Sequence, residues 1–499
     1  MLNLAGLLAL TVSALVLCGP AGAADGKAVA LVRAGLEAQG GEQRLRGIGS
    51  VVIEARGYRN LLEQSERPEG PFMVEFHTLN EVHEPAIRGL SRKLEVLFPP
   101  NASYATELLV KDGVAMRSMG ERSMPGRAQD VQAAQETLSL APERLLLTAL
   151  DAPDLHAEQD VTLYTMPQHV VGFTLDGAPV RVYLSAATHL PTAVDYSGPL
   201  VRDGYAAFLG DVVRQTHFGF WRRDASGVRY PMQWDVLTTG LPDRTYMLRT
   251  LKLQQGSTLA QRAIPDGVVQ AFRKAAAQTA PPPQPKDPVT LKPGIAMLAG
   301  AWYTAIVEQD DGLVILEAPI SSDYSVAVLA QAAKLFPDKK VKAVVTTSDA
   351  WPHLAGIREY VARGIEVYAL DRNAPILRRT IGASYASKPD ALQRHPKPAR
   401  MALVSDKTVI GRGANRIELY PVRGASAERQ MVAWLPEHRL LYGSDVFQVT
   451  PDGKYSMPQT VDELVQAVDR ERLDVDQVFL MHVGPMPFAD LRKVPGSAD

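Results

Sequence analysis

Cysteine is nearly absent from this chain: Cys18 is the only one among 499 residues. It closes an apolar run, residues 4–18, that has signal-peptide length and is too short to span a bilayer comfortably. Small residues follow, and Ala21-Gly22-Ala23 fits a signal-peptidase site. Residues 1–23 are therefore read as a signal peptide and the chain as periplasmic or secreted. Residues 1–3 carry no Lys or Arg, and the competing reading is a buried helix of the mature fold. Leu17 is a poor neighbour for a lipidated cysteine, which argues against an anchor at Cys18. Cleavage after Ala23 would leave no thiol, excluding disulfides, thiolate catalysis and thiolate metal ligation. No later apolar run has transmembrane length. A formal net charge of -2 gives no electrostatic case for nucleic acid or for an anionic membrane surface. A Walker loop, a G-x-S-x-G elbow and zinc-finger spacing are also missing.

What is present is an ordinary soluble composition, 46% hydrophobic and 22% charged, on a chain long enough for two or more domains. Residues 276–293 form a Pro-rich linker, read as a semi-rigid spacer. It divides residues 25–275 from residues 294–499.

The first part opens with a helix over 27–38, ended by Gly40-Gly41. Strands follow at 51–53, 109–116 and 170–184, the last two folding over Asp112-Gly113 and Asp176-Gly177, the dipeptides of type I′ hairpins. Two more, 230–238 and 244–253, flank a turn at 240–243, and residues 142–150 are the one strong internal helix. The pattern predicts an α+β domain built on a curved antiparallel sheet. His77 and His83 lie near Glu75, Glu81 and Glu84 in a stretch read as solvent-facing, with no metal site expected. Asn101-Ala102-Ser103 is an N-glycosylation sequon, which matters only in a eukaryotic secretory chain. The segments GGEQRLRGIGSVVIEARG and VRVYLSAATHLPTAVDY resemble periplasmic lipoprotein carriers of the LolA/LolB type. That resemblance implies an apolar or lipid-like ligand on the concave face of the sheet.

The second part alternates strands and helices, as α/β layers do. Its order is a hairpin over Asp310-Asp311-Gly312, a helix at 325–335, VKAVVTTS, a loop, a helix at 352–363, GIEVYAL, then WLPEHRLLYGSD and FLMHVGP. This series resembles the metallo-β-lactamase superfamily, which implies an αββα sandwich with its active site where the loops gather at one edge. Residues 344–356, VVTTSDAWPHLAG, then match the family's metal loop with most ligands replaced. Ser348, Ala350 and Ser426 stand where the resemblance places the three imidazoles of a first metal, and Pro352 stands where it places an aspartate of a second. His353, Asp445 and His482 match the remaining ligands. Two imidazoles and one carboxylate imply one divalent ion, zinc before others, or none. Such a site would activate water toward an ester, amide or thioester carbonyl.

Each residue also has a plain structural reading. Pro352 suits the first turn of a helix, and His353 then only lines that turn. Asp445 would hold a turn through backbone N–H groups, and His482 would be a hydrogen-bonded histidine at a strand end. Asp349 is a substitute carboxylate whose side chain points away from its neighbours' side, and Ser348 has no identifiable base beside it. No residue is assigned a catalytic role. Two functions stay open: an exported hydrolase-like protein with at most one metal ion, and a non-catalytic binding or scaffold protein. The sequence names neither substrate nor oligomeric state.

Overall fold

The computed structural model describes residues 25–62, 72–98, 102–199, 209–278, 282–300, 302–449, 455 and 457–494. The signal-peptide reading of residues 1–23, Cys18 and the sequon residue Asn101 lie outside them. Among the described residues no helix is long and apolar enough to cross a membrane.

A 14-stranded sheet, antiparallel throughout, takes up the first half of the chain. Near its middle, strand Ser50–Asn60 pairs with Val74–Glu84 on one side and with Leu241–Gln254 on the other. Asp112-Gly113 and Asp176-Gly177 have positive φ at both positions (51° and 74°, 50° and 80°), as type I′ turns require. The turn predicted at 240–243 is displaced. Thr239 and Gly240 take the positive φ values, 52° and 79°, because Pro242 has its φ locked negative. Leu241 already begins the next strand.

Helix Gly26–Gln39 starts at Asp25, whose side chain accepts from Lys27 N at 2.9 Å, and stops at Gly40 with φ 134°. Its Ala28, Val32 and Leu36 pack with Leu145, Leu146 and Ala149 over the sheet. The helix expected at 142–150 is shorter, Leu145–Asp151, with Pro142 in the turn before it. A further helix, Ala128–Leu140, was not expected.

The stretch read as solvent-facing is buried. Along Val74–Glu84 the side chains of Glu75, His77, Leu79, Glu81 and His83 point inward, while Phe76 is 57% exposed. His83 Nδ1 meets Glu143 Oε1 at 2.7 Å and its Nε2 meets Glu81 Oε1 at 2.6 Å. Tyr230 donates to Glu143 at 2.9 Å, and Arg92 donates to Glu81. His77 lies between Tyr246 at 2.7 Å and Glu75 at 2.9 Å. Partners remote in sequence make this inward set tolerable, since buried charges persist when paired and hydrogen-bonded. Burial opposes the charged imidazole of His83, yet Glu143 and Glu81 hold it well above its ordinary value of 6.5. The stabilisation is therefore complete below 6.5 and is lost as pH rises toward the higher folded value. Unfolding by urea at pH 7 and pH 9.5 should show wild type losing stability, and a His83→Gln variant losing much less over the same interval.

The second half builds two sheets. One has seven strands in chain order from Pro288–Lys292 to Met401–Val404, with Gly312–Leu316, Val341–Thr346 and Glu366–Leu370 parallel. Its first strand, Pro288–Lys292, falls inside the Pro-rich segment, so the extended residues there end in sheet. The other sheet has six strands from Thr408–Ile410 to Met486–Pro487. Strand Gly312–Leu316 is buried on both faces and alternates between two cores. Val314 and Leu316 pack between the sheets against Leu419, Ala433 and Tyr442. Leu313 and Ile315 face helices Ser322–Leu335 and Ile357–Ala362. Helix Pro458–Arg470 covers the outer face of the second sheet through Val461, Leu464 and Val468. The result is helix, sheet, sheet, helix. The helix predicted over 352–363 is broken into Trp351–Leu354 and Ile357–Ala362.

The two halves share a core. Leu62, Leu209, Val212 and Leu241, at strand ends of the first sheet, pack in the same cluster as Ile376 and Leu377. Asp211 accepts from Ser384 Oγ at 2.8 Å, Ala386 N at 2.5 Å and Ser387 N at 3.2 Å.

Candidate metal centre

Three chain segments meet at one edge of the sandwich. Strand Val341–Thr346 delivers the loop Thr347–Ala350, and Pro352 sits in the first turn of the short helix that follows. There it loses nothing by lacking an N–H, and it places His353 facing inward, 2% exposed. Strand Leu440–Tyr442 ends at Gly443, Ser444 takes φ 62°, and Asp445 follows. The Gln430 side chain clamps the Asp445 backbone, accepting from its N–H at 3.1 Å and donating to its carbonyl at 3.4 Å. Strand Gln477–Phe479 leads to Met481, whose N–H donates to Ser444 O at 3.0 Å. That bond sets His482 beside Asp445.

The structure thus brings His353, Asp445 and His482 together, with one donor atom from each within 4.8 Å of the others. His353 Nε2 is 3.4 Å from Asp445 Oδ2, and His482 Nε2 is 3.2 Å from Asp445 Oδ1. Donors bound about 2.0–2.2 Å from one tetrahedral ion lie roughly 3.3–3.6 Å apart; the two spacings, each to a different carboxylate oxygen, lie close to that range. Asp445 Oδ1 is buried and accepts no hydrogen bond, as expected of an oxygen aimed at a common point. His353 Nδ1 is also buried without a partner among the described residues, none of which fixes its tautomer. Burial, then His482, pushes His353 down to about 4 against the pull of Asp445. Its imidazole is neutral near pH 7, as a ligand must be. The Trp302 ring stands 6.2 Å from each of the two imidazoles and walls one side.

The replaced positions add no His, Cys, Asp or Glu donor to the group. Ser348 is buried and its hydroxyl accepts from Ala350 N at 3.1 Å, so it is spent on the turn. Ala350 is 4% exposed. Pro352 is buried. Ser426 is exposed, its N–H donating to Glu463 at 2.8 Å. Asp349 lies outside the donor group.

Sequence reasoning missed Glu317. It ends the all-apolar strand Gly312–Leu316, and an acid there was the only signal. Glu317 is fully buried, accepts from Thr347 N at 3.1 Å and bonds the Thr347 hydroxyl. Thr347 in turn reaches Ser444 Oγ at 2.8 Å, tying the His353 loop to the Asp445 turn. Burial pushes Glu317 up to about 8, with Asp445 adding to the rise, so it is largely protonated at pH 7. A raised carboxyl favours its neutral form. It costs nothing below its ordinary value of 4.5 and costs progressively more stability as pH rises to about 8. In chelator-treated protein, unfolding free energy should fall from pH 5 to 8.5 more steeply in wild type than in a Glu317→Gln variant, which keeps the part of the fall due to His83.

No protein-family model matches this chain, and no curated protein does either. Among solved structures, it is similar to the DIM-1 metallo-β-lactamase at 16% identity, over 42% of this chain and 95% of that one, with a TM-score of 0.34. It is similar to the FIM-1 metallo-β-lactamase of Pseudomonas aeruginosa in its mono-zinc form at 14% identity, over 43% and 95%, with a TM-score of 0.34. A metallo-β-lactamase of Pontibacter korlensis gives 14%, 41% and 95%, with a TM-score of 0.32. The αββα layering of this chain stands on its own strand order.

Proposed function

We propose that this is an exported protein of metallo-β-lactamase-like fold that binds one divalent cation, zinc before others, and hydrolyses an ester, amide or thioester. The observation that carries the reading is the meeting of His353, Asp445 and His482 at ion-like spacings. When bound, a divalent cation supplies Lewis acidity toward a carbonyl oxygen and makes a nucleophile from water near neutral pH. The chain's own groups do the rest. One carboxylate and two neutral imidazoles leave a divalent site net positive, which suits an electron-rich carbonyl. Gln430 fixes the Asp445 backbone, the Thr347–Ser444 bond fixes the two loops, and Trp302 offers an apolar wall to the group beside the scissile bond. The first half, with its likeness to lipoprotein carriers, would hold the ligand or partner.

A second reading has its own support. Ser348 and Ala350 are buried and give no metal donor, and Ser426 is exposed, so the site has at most one ion and no identified base. On that reading the protein is a binding or scaffold protein without turnover. The two separate in one assay. Chelator-stripped protein is reloaded with zinc and given nitrophenyl esters and acyl thioesters. Turnover that needs zinc and vanishes in Asp445→Asn supports hydrolysis. Zinc retained with no turnover above the stripped protein rejects hydrolysis and leaves the binding role.

A further inference from the structure

The net charge of -2 conceals a strong asymmetry. Residues 371–400 hold seven Lys or Arg and two Asp, a net of +5, which leaves -7 on the rest of the chain. They form the crossover between the parallel neighbours Glu366–Leu370 and Met401–Val404. About a dozen residues suffice for such a connection, and this one has 30.

The extra length is ordered. Helix Ala374–Gly382 buries Ile376, Leu377 and Thr380, and Leu392 of helix Ala391–Arg394 packs in the same cluster as Ile376 and Leu377. Arg358 bonds the carbonyls that end the first helix and also bonds Asp390, whose side chain caps the second helix by accepting from Gln393 N at 2.7 Å. That ion pair spends the Asp390 charge, and Asp371 is the only other acid of the crossover. With the apolar side turned inward, Arg378, Lys388, Arg394 and Lys397 are exposed. None of the four has a carboxylate partner among the described residues. Arg372 and Arg400 do, pairing with Glu428 at 3.6 Å and with Glu366 at 3.9 Å. Unpaired like charges gathered on one excursion raise the local potential and favour an anionic partner.

The rest of this surface decides which anion fits. No large apolar side chain of residues 371–400 is exposed. Interfaces between folded proteins are centred on aromatic and apolar anchors and are poor in Lys. Tyr385, the only Phe, Tyr or Trp of the crossover, lies under the Arg358 guanidinium at 4.2 Å. It offers no stacking platform for single-stranded nucleic acid. What remains is charge alone, which suits a plane of lipid headgroups. The proposed export brings the chain to such surfaces, and the choice of a bilayer over duplex nucleic acid rests on that reading.

We propose that residues 371–400 form a docking face for an anionic phospholipid bilayer, held through Arg378, Lys388, Arg394 and Lys397 on headgroup phosphates without insertion.

Co-sedimentation of the full chain with vesicles tests it, using phosphatidylcholine alone and phosphatidylcholine mixed with phosphatidylglycerol. The anionic vesicles should hold the chain at least about 10-fold more tightly than the neutral ones. Any attachment through the apolar residues 4–18 is common to both vesicles and cancels in the comparison. Raising NaCl from about 0.1 M to about 0.5 M should abolish the difference, because the attraction acts within a Debye length. Arg394→Gln with Lys397→Gln should weaken binding to anionic vesicles about 25-fold, from about five-fold for each cation near such a surface. Arg222→Gln with Arg223→Gln removes the same charge from exposed positions on the first sheet and should bind as wild type does. His482→Ala should also bind as wild type, which separates this result from the metal reading, and amino-terminal sequencing of the secreted chain tests export separately. Thermal midpoints near wild type show that the variants are folded. Equal binding to both vesicles, or equal weakening by the two paired variants, overturns the proposal. Duplex DNA bound more tightly than anionic vesicles, with the same loss in Arg394→Gln with Lys397→Gln, overturns the bilayer as partner.

Discussion

Alanine at position 482 should cost the protein its bound ion. His482 is one of three donors; its side chain is 17% exposed and its ring lies beside those of Trp302 and His353, so truncation removes Nε2 together with some packing. Among the described residues no fourth His, Cys, Asp or Glu joins the group to compensate. Changing a residue that merely supports a ligand already costs about 10-fold to 100-fold in affinity, so losing a ligand should cost at least about 100-fold. Competition with a chromophoric chelator measures it. His353→Ala should weaken zinc as much, but it also opens a cavity in a buried wall, so His482→Ala is the cleaner experiment. In EDTA the midpoint of His482→Ala should lie at or somewhat below that of wild type, and zinc should raise the midpoint of wild type alone.

Arg358→Ala should produce the largest loss of stability, about 3–5 kcal/mol, as expected when one member of a buried ion pair is removed. The Arg358 side chain is 2% exposed. Its Nε and Nη2 donate to Asp390 at 2.5 and 3.0 Å, its Nη1 donates to Ala383 O at 3.0 Å and bonds Ile381 O, and its guanidinium lies 4.2 Å from the centre of the Tyr385 ring. Burial works against the Asp390 carboxylate, yet Arg358 holds it below its usual range. Without Arg358 that carboxylate and the chain-end carbonyls of helix Ala374–Gly382 are stranded. The next residues, Ser384–Ser387, are those that Asp211 grips from the first sheet. The same variant should therefore loosen the junction between the halves, seen as faster amide exchange at 384–387. Asp390→Asn keeps a hydrogen-bond acceptor and should cost less. Denaturant midpoints compare the three proteins.

The sandwich was legible because its strands are short apolar runs broken by unambiguous turns. Asp310-Asp311-Gly312 marks a turn, and the β-branched run 341–346, buried from Ala343 on, marks a strand. His353, Asp445 and His482 stand out only through the resemblance to metallo-β-lactamases, which places a ligand at each of those positions; the strand pattern alone gives each a plain structural role. Residues 74–84 failed for a physical reason. Period-2 alternation says that two faces differ, and it does not say which faces inward. Glu75, His77, Glu81 and His83 go in because Glu143, Tyr230, Arg92 and Tyr246 arrive from other strands and a helix start to satisfy them. Nothing local records those partners. Glu317 and Gln430 escaped likewise: each acts on a loop distant in sequence, Glu317 on Thr347 and Gln430 on Asp445.

Zinc K-edge absorption on the reloaded wild-type protein addresses the centre itself. One zinc per chain is expected, with two imidazole nitrogens and carboxylate or water oxygens about 2.0–2.2 Å away. Protein that retains no zinc after gel filtration, or whose absorption spectrum shows no imidazole scattering, would contradict it.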